Sequence, residues 1–217
     1  MDSKGKAVLN ELERILKDLD LLQRRNSSVS YSFDFSKIRG DTYLEYWKSY
    51  YRENWYDFQL KDLSLISFSD SSNDPFSFLY LGCPIDCVTE ENYYNSSLYC
   101  EDTGFVPYDE YIATCRILEN IAYLRYDHSP KQYKEGIHPA NHLHVGYGQT
   151  CRIGSYYHLD MMTFSSLVIR QFYPEKWKIV LDDPNKYKRI FDAKSSLATI
   201  SGNHYGAHDE KRDFYLK

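Results

Sequence analysis

The stretch WYDFQLKDLSLISFSDSSNDPFSFLYL, residues 55–81, decides the fold. It holds two short apolar runs, Trp55–Leu60 and Leu63–Phe68, parted by Lys61–Asp62, which has the composition of a hairpin turn. The polar run Ser69–Pro75 is a loop signal, and Phe76–Leu81 resumes as a further strand. Connections this short leave no room for crossover helices, so the strands are expected to pair antiparallel, as a meander.

Working upstream, Val29, Tyr31, Phe33 and Phe35 alternate with polar residues, a strand pattern. Tyr43–Tyr51 is aromatic and ambiguous in type. Residues 4–23 read as a helix, with Val8, Leu12, Ile15, Leu16 and Leu19 at helical spacing, ending at Arg24–Ser28 and covering the sheet. Downstream, residues 83–108 are polar and irregular, a long surface excursion. Ile117–Tyr126 fits a strand running into Asp127–His128, and residues 141–148 fit another. Residues 160–173 form a second clear helix, capped by Asp160 and stopped by Pro174. A shorter helix is expected over 184–194, and Arg212–Leu216 is an edge strand or tail. The expectation is one α+β domain over residues 1–217. An N-terminal helix (1–25) and a helical C-terminal segment (159–217) pack on an antiparallel sheet (29–158) that carries a histidine motif.

Composition narrows the classes. A chain of 217 residues with 42% hydrophobic content can bury a core without staples. Its 22 tyrosines suit half-buried strands and contact surfaces. The net charge of −5 divides unevenly, −9 over residues 1–115 and +4 over residues 116–217. Five cysteines, an odd and sparse set, argue against a secreted disulfide framework, and Cys83-x3-Cys87 lacks a second ligand pair. No apolar leader and no bilayer-length run occurs, so the expected compartment is the cytoplasm, with no membrane partner. No Gly-rich phosphate loop, nucleophile elbow, His-Glu-x-x-His or dinucleotide fingerprint is present.

Chemistry concentrates elsewhere. Five of the seven histidines fall in residues 128–158, around Arg125–Tyr126–Asp127–His128 and His138–Pro139–Ala140–Asn141–His142–Leu143–His144. On a strand, His142 and His144 share one face and Leu143 takes the other. If the strand ending in Asp127 is a neighbour, one carboxylate, two imidazoles and the guanidinium of Arg125 or Arg152 converge. Two chemistries use that set. Without a metal, His142 and His144 are an acid–base pair, Asp127 orients one ring, and an arginine stabilises the phosphorane-like transition state. With one, His138, His142, His144 and Asp127 hold a divalent transition metal that activates water. Arg152, His138 and Arg170 are the candidate substrate-binding groups. The bland alternative is a set of structural histidines in a non-catalytic subunit whose tyrosine-rich surface docks on another protein.

The strings Leu124–Arg125–Tyr126–Asp127, His138–Pro139–Ala140–Asn141–His142–Leu143–His144–Val145–Gly146, Arg152–Ile153 and Leu167–Val168–Ile169–Arg170–Gln171–Phe172–Tyr173 resemble a bacterial family of domains of unknown function. The likeness spans residues 117–177. A shorter pattern, Arg-x-Asp-Asn followed by Pro-His-x-His, is similar to TumE-type toxins of toxin–antitoxin pairs. His128 stands where those toxins have Asn, and Gly154 where the first family has Pro. The resemblance implies antiviral defence or toxin–antitoxin biology and a toxin-like ribonuclease. RNA and a protein of the same defence module are its implied partners, and Arg125, Asp127, His138, His142, His144 and Arg152 match the motif. A metal-dependent phosphohydrolase is the other enzymatic reading.

Overall fold

The structure, a computed structural model, describes residues 3–26, 42–69, 75–85, 110–111, 115, 117–118, 121–148, 151–200, 202–206 and 208–209. The expected alternation at Val29–Phe35, most of the Ser69–Pro75 loop, nearly all of the 83–108 excursion and the 212–216 segment lie outside these.

Among the described residues, seven strands form one antiparallel sheet in chain order: β1 (Leu22–Arg25), β2 (Phe58–Leu60), β3 (Leu65–Phe68), β4 (Phe76–Leu81), β5 (Tyr123–His128), β6 (Asn141–Val145) and β7 (Cys151–Gly154). The β2–β3 hairpin closes through Leu63, whose φ of 64° supplies the left-handed turn residue after Lys61–Asp62. Alternation then sorts side chains onto two faces. Phe58, Ile66, Phe78, Tyr80, Leu124, Tyr126 and Leu143 point to one. There they meet α1 (Ser3–Asp18), α3 (Met161–Phe172), α4 (Pro174–Asp182) and α5 (Lys188–Ser195). Leu65, Leu79, Leu81 and Tyr123 point to the other, where α2 (Tyr43–Arg52) packs. This is the expected α+β architecture.

Several boundaries differ from the sequence expectation. The first helix stops at Asp18, because Asp20 takes a left-handed φ of 55° and turns the chain; Leu22–Arg25 becomes an edge strand paired with β2. The aromatic run is a helix, not a strand. Thr42 caps it, its Oγ1 accepting from Glu45 N (3.2 Å), and Tyr43, Tyr46, Trp47 and Tyr50 line its buried face. The strand expected over Ile117–Tyr126 lies at Tyr123–His128, and Ile117 makes only an isolated bridge to Ile85. The 141–148 strand ends at Val145, where Gly146 turns at φ 82°. Asp160 caps α3 as expected, its Oδ1 accepting from Thr163 N (2.7 Å). Pro174 stops that helix and is also the first residue of α4, a position where proline loses nothing by lacking an N–H. The last helix begins at Lys188 rather than at residue 184. Among the described residues, no helix is long and apolar enough to cross a membrane.

Candidate metal centre

Register builds the site. β5 and β6 pair Arg125 with His144 and Asp127 with His142, and β4 brings Ser77 opposite Asp127. All five therefore share the face carrying α2. Their neighbours along the chain, Tyr126 and Leu143, sink into the opposite core at 0% and 3% exposure and hold the strands in that register.

Asp127 is the hub. Its Oδ1 accepts from Ser77 Oγ (2.7 Å) and Arg125 Nε (2.9 Å), and its Oδ2 accepts from Arg125 Nη2 (2.7 Å). The same Oδ2 lies 3.0 Å from His144 Nε2 and 3.6 Å from His142 Nε2. Burial opposes ionisation of this carboxyl. Hydrogen bonds from His144, Arg125 and Ser77, with the arginine's charge, outweigh burial and hold it well below the usual carboxylate range. Arg125 Nη1 also donates to Tyr123 Oη (3.4 Å), joining the centre to the tyrosine cluster of Tyr43, Tyr46, Tyr123 and Tyr147.

The two imidazoles meet at their tips: His142 Nε2 and His144 Nε2 are 3.0 Å apart. His142 Nδ1 lies 3.0 Å from the carbonyl oxygen of Pro139, which can only accept. In the neutral ring the proton is therefore on Nδ1 and Nε2 is a bare lone pair. Burial lowers the His142 pKa to about 4, so the ring is neutral at pH 7. The single proton on His144 Nε2 then faces two acceptors, His142 Nε2 and the Asp127 carboxylate.

Three donor atoms thus converge with separations of 3.0, 3.0 and 3.6 Å. One ion bound to all three at about 2.1 Å needs its donors about 3.0–3.4 Å apart, for bond angles between octahedral and tetrahedral. Two of the separations lie in that window and the third, His142 Nε2 to Asp127 Oδ2, is about 0.2 Å wider; the set can hold a divalent transition metal once the His144 proton shifts from Nε2 to Nδ1, a buried atom without a hydrogen-bond partner among the described residues. Pro139 O already takes the far proton of His142, the outer contact that metal-bound histidines commonly make. The same closeness weighs against an acid–base pair, because a phosphodiester does not fit between ring nitrogens in hydrogen-bond contact.

The remaining sequence candidates divide. His138 packs its ring edge-on against His142, with centroids 4.9 Å apart, but is outside the donor triangle. Burial, and then the nearby Arg152 charge, lower its pKa. Arg152 pairs with His144 across β6 and β7, so it shares the site's face, and it is exposed. Arg170 does not join the site. It sits exposed on α3, whose buried side chains pack on the opposite face of the sheet. His128 likewise points to the opposite face, where its Nδ1 lies 2.6 Å from Asn141 Oδ1 and its ring meets His158. Sequence reasoning passed over Ser77 and the Pro139 carbonyl. Ser77, a polar residue between two phenylalanines on an alternating strand, was the readable signal; a backbone carbonyl offers none.

Fold and site together define an α+β protein with a two-histidine, one-carboxylate centre set on an antiparallel sheet. Residues 17–214 match a family described as uncharacterized conserved protein (DUF2290), and the chain belongs to that family. No curated protein and no solved structure shows significant similarity to it.

Proposed function

We propose that this protein is a metal-dependent phosphodiesterase that cleaves RNA, a toxin-like nuclease of a prokaryotic defence or toxin–antitoxin module. The observation that carries the reading is the donor triangle of His142 Nε2, His144 Nε2 and Asp127 Oδ2. A bound divalent ion supplies Lewis acidity and lowers the pKa of water, the two things phosphodiester hydrolysis requires. Arg125 fixes the carboxylate bidentately, so that Asp127 is held ionised and in one rotamer. Arg152, exposed beside His144, is placed to bind a phosphate oxygen of the substrate.

The test is cleavage of a labelled single-stranded RNA, with DNA and bis(p-nitrophenyl) phosphate in parallel. Protein stripped with chelator is reloaded with Zn²⁺ or Mn²⁺. Cleavage is expected only in the loaded protein and is lost in His142→Ala/His144→Ala. Equal cleavage by that double variant, or cleavage indifferent to chelator, overturns the proposal.

One observation favours a second reading. His142 and His144 are 2% and 1% exposed, the burial of structural groups. On that view the polar chain only ties β4, β5 and β6 together, and the protein is a non-catalytic subunit of a defence complex. Metal-free protein that engages a partner with and without the two rings would favour it.

A further inference from the structure

The carboxylate of Asp209, 1% exposed, is far along the chain from the centre, yet it grips the loop that leads into it. Its Oδ1 accepts from Gly136 N (2.8 Å), and its Oδ2 accepts from Tyr133 Oη (2.5 Å) and Gly206 N (2.9 Å). Gly206 N also donates to Tyr133 Oη (3.0 Å), and His208 N donates to Glu135 Oε1 (3.0 Å). A Cβ on Gly206 would lie 2.1 Å from Glu135 Oε1, so the segment and the loop are in close contact.

The gripped loop is a tight turn. Lys134 and His138 form an antiparallel bridge, with His138 N donating to Lys134 O (2.8 Å), and Gly136 turns it at φ 65°. Its outgoing arm makes two contacts with His142: the His138 ring packs against the His142 ring, and Pro139 O accepts from His142 Nδ1.

We propose that Asp209 is a positioning residue for the metal centre. By clamping the Tyr133–Gly136 turn it sets Pro139 O against His142 Nδ1 and thereby keeps the His142 Nε2 lone pair aimed at His144 and Asp127. Gly206, His208 and Asp209 act as a strap that must be seated for the donor triangle to form. The effect on metal affinity rests on the function proposed above; the effect on the His142 tautomer does not.

The experiment uses the full chain. Ring-nitrogen shifts of His142 are recorded by ¹⁵N–¹H correlation on metal-free protein, and Co²⁺ affinity is titrated separately. Three variants are compared with wild type: Asp209→Ala, the milder Tyr133→Phe, and Leu12→Ala, which weakens the core on the far face of the sheet. Asp209→Ala is expected to move the His142 nitrogens toward a mixed tautomer and to weaken Co²⁺ binding by about 10-fold, the size of an outer-contact loss. Tyr133→Phe should do the same to a smaller degree, and it carries the test if Asp209→Ala fails to fold. Leu12→Ala should lower the Tm and leave His142 unchanged. Wild-type His142 shifts in the folded clamp variants, or an equal shift in Leu12→Ala, overturns the proposal. Shifts that move in a protein without Co²⁺ affinity uphold the strap and count against the metal-dependent function.

Discussion

His144 Nε2 lies 3.0 Å from Asp127 Oδ2 although the two residues are not cross-strand partners. Asp127 is opposite His142, and Arg125 is opposite His144. The contact is a diagonal, within reach of long side chains on one face of an antiparallel pair. The bidentate Arg125 fork holds the carboxylate along the same strand, where one oxygen serves both rings.

That fork predicts an asymmetry in stability. Asp127→Ala leaves the Arg125 guanidinium, only 11% exposed, without its bidentate partner. The expected loss is about 3–5 kcal/mol. Replacing both residues together, as Arg125→Met/Asp127→Leu, should recover most of it. Urea unfolding of the two singles and the double checks this; additive losses would contradict it.

Ligand linkage gives a test independent of catalysis. Zn²⁺ or Mn²⁺ at about 100 times its Kd should stabilise the native state by about 2.7 kcal/mol. The gain should vanish in His142→Ala and in His144→Ala and should persist in Arg170→Ala, since Arg170 lies on the opposite face. A thermal-shift titration against each ion measures it.

The buried carboxylate of Asp57 contributes a pH dependence of its own. Asp57 is 8% exposed and accepts a hydrogen bond from Phe68 N (2.7 Å); burial raises its pKa to about 6, above the ordinary 3.8. A raised folded-state value means that the native state binds the proton more tightly than the unfolded chain. Its contribution is therefore complete below pH 3.8 and is lost as pH rises through about 6. Asp57→Asn keeps an acceptor for Phe68 N and removes the titration. The variant should gain about 2–3 kcal/mol on wild type at pH 7 relative to pH 4. Chemical denaturation across that range reads the difference, and parallel curves would refute the assignment.

The tyrosine helix α2 is anchored in part by Trp47, which is fully buried and donates from its indole N–H to Leu63 O (3.3 Å). Trp47→Ala should cost about 3–5 kcal/mol. Because α2 covers the site's side of the sheet, near-ultraviolet circular dichroism should weaken as well.

Much of this was legible in the chain. The β2–β4 meander follows from the short apolar runs and the Lys61–Asp62 turn between them, and α3 follows from Asp160, Pro174 and the apolar positions between them. The His-x-His spacing alone puts both rings on one face. What escaped had physical causes. The turn after α1 uses Asp20 in a conformation that glycine usually signals, so Leu22–Arg25 read on as helix. Tyr43, Tyr46, Trp47 and Tyr50 have helical spacing, but they sit in an aromatic run that suits a strand equally. Arg170 was assigned by type, whereas the face on which a helix packs is decided by the whole core. The Pro139 carbonyl and the Asp209 clamp depend on tertiary contacts that no local pattern encodes.

A close backbone approach lies at the base of the β4–β5 connection. Gly82 N donates to Ala122 O at 2.7 Å, and a Cβ on Gly82 would come within 2.9 Å of the Ala122 Cβ. The chain therefore leaves and re-enters the sheet through one pinched gate, and strand pairing on either side does not depend on how many residues travel between. Entropy penalises a longer excursion only logarithmically. A reporter domain grafted between Gly82 and Ala122 should therefore leave the β4–β5 pairing and the histidines undisturbed.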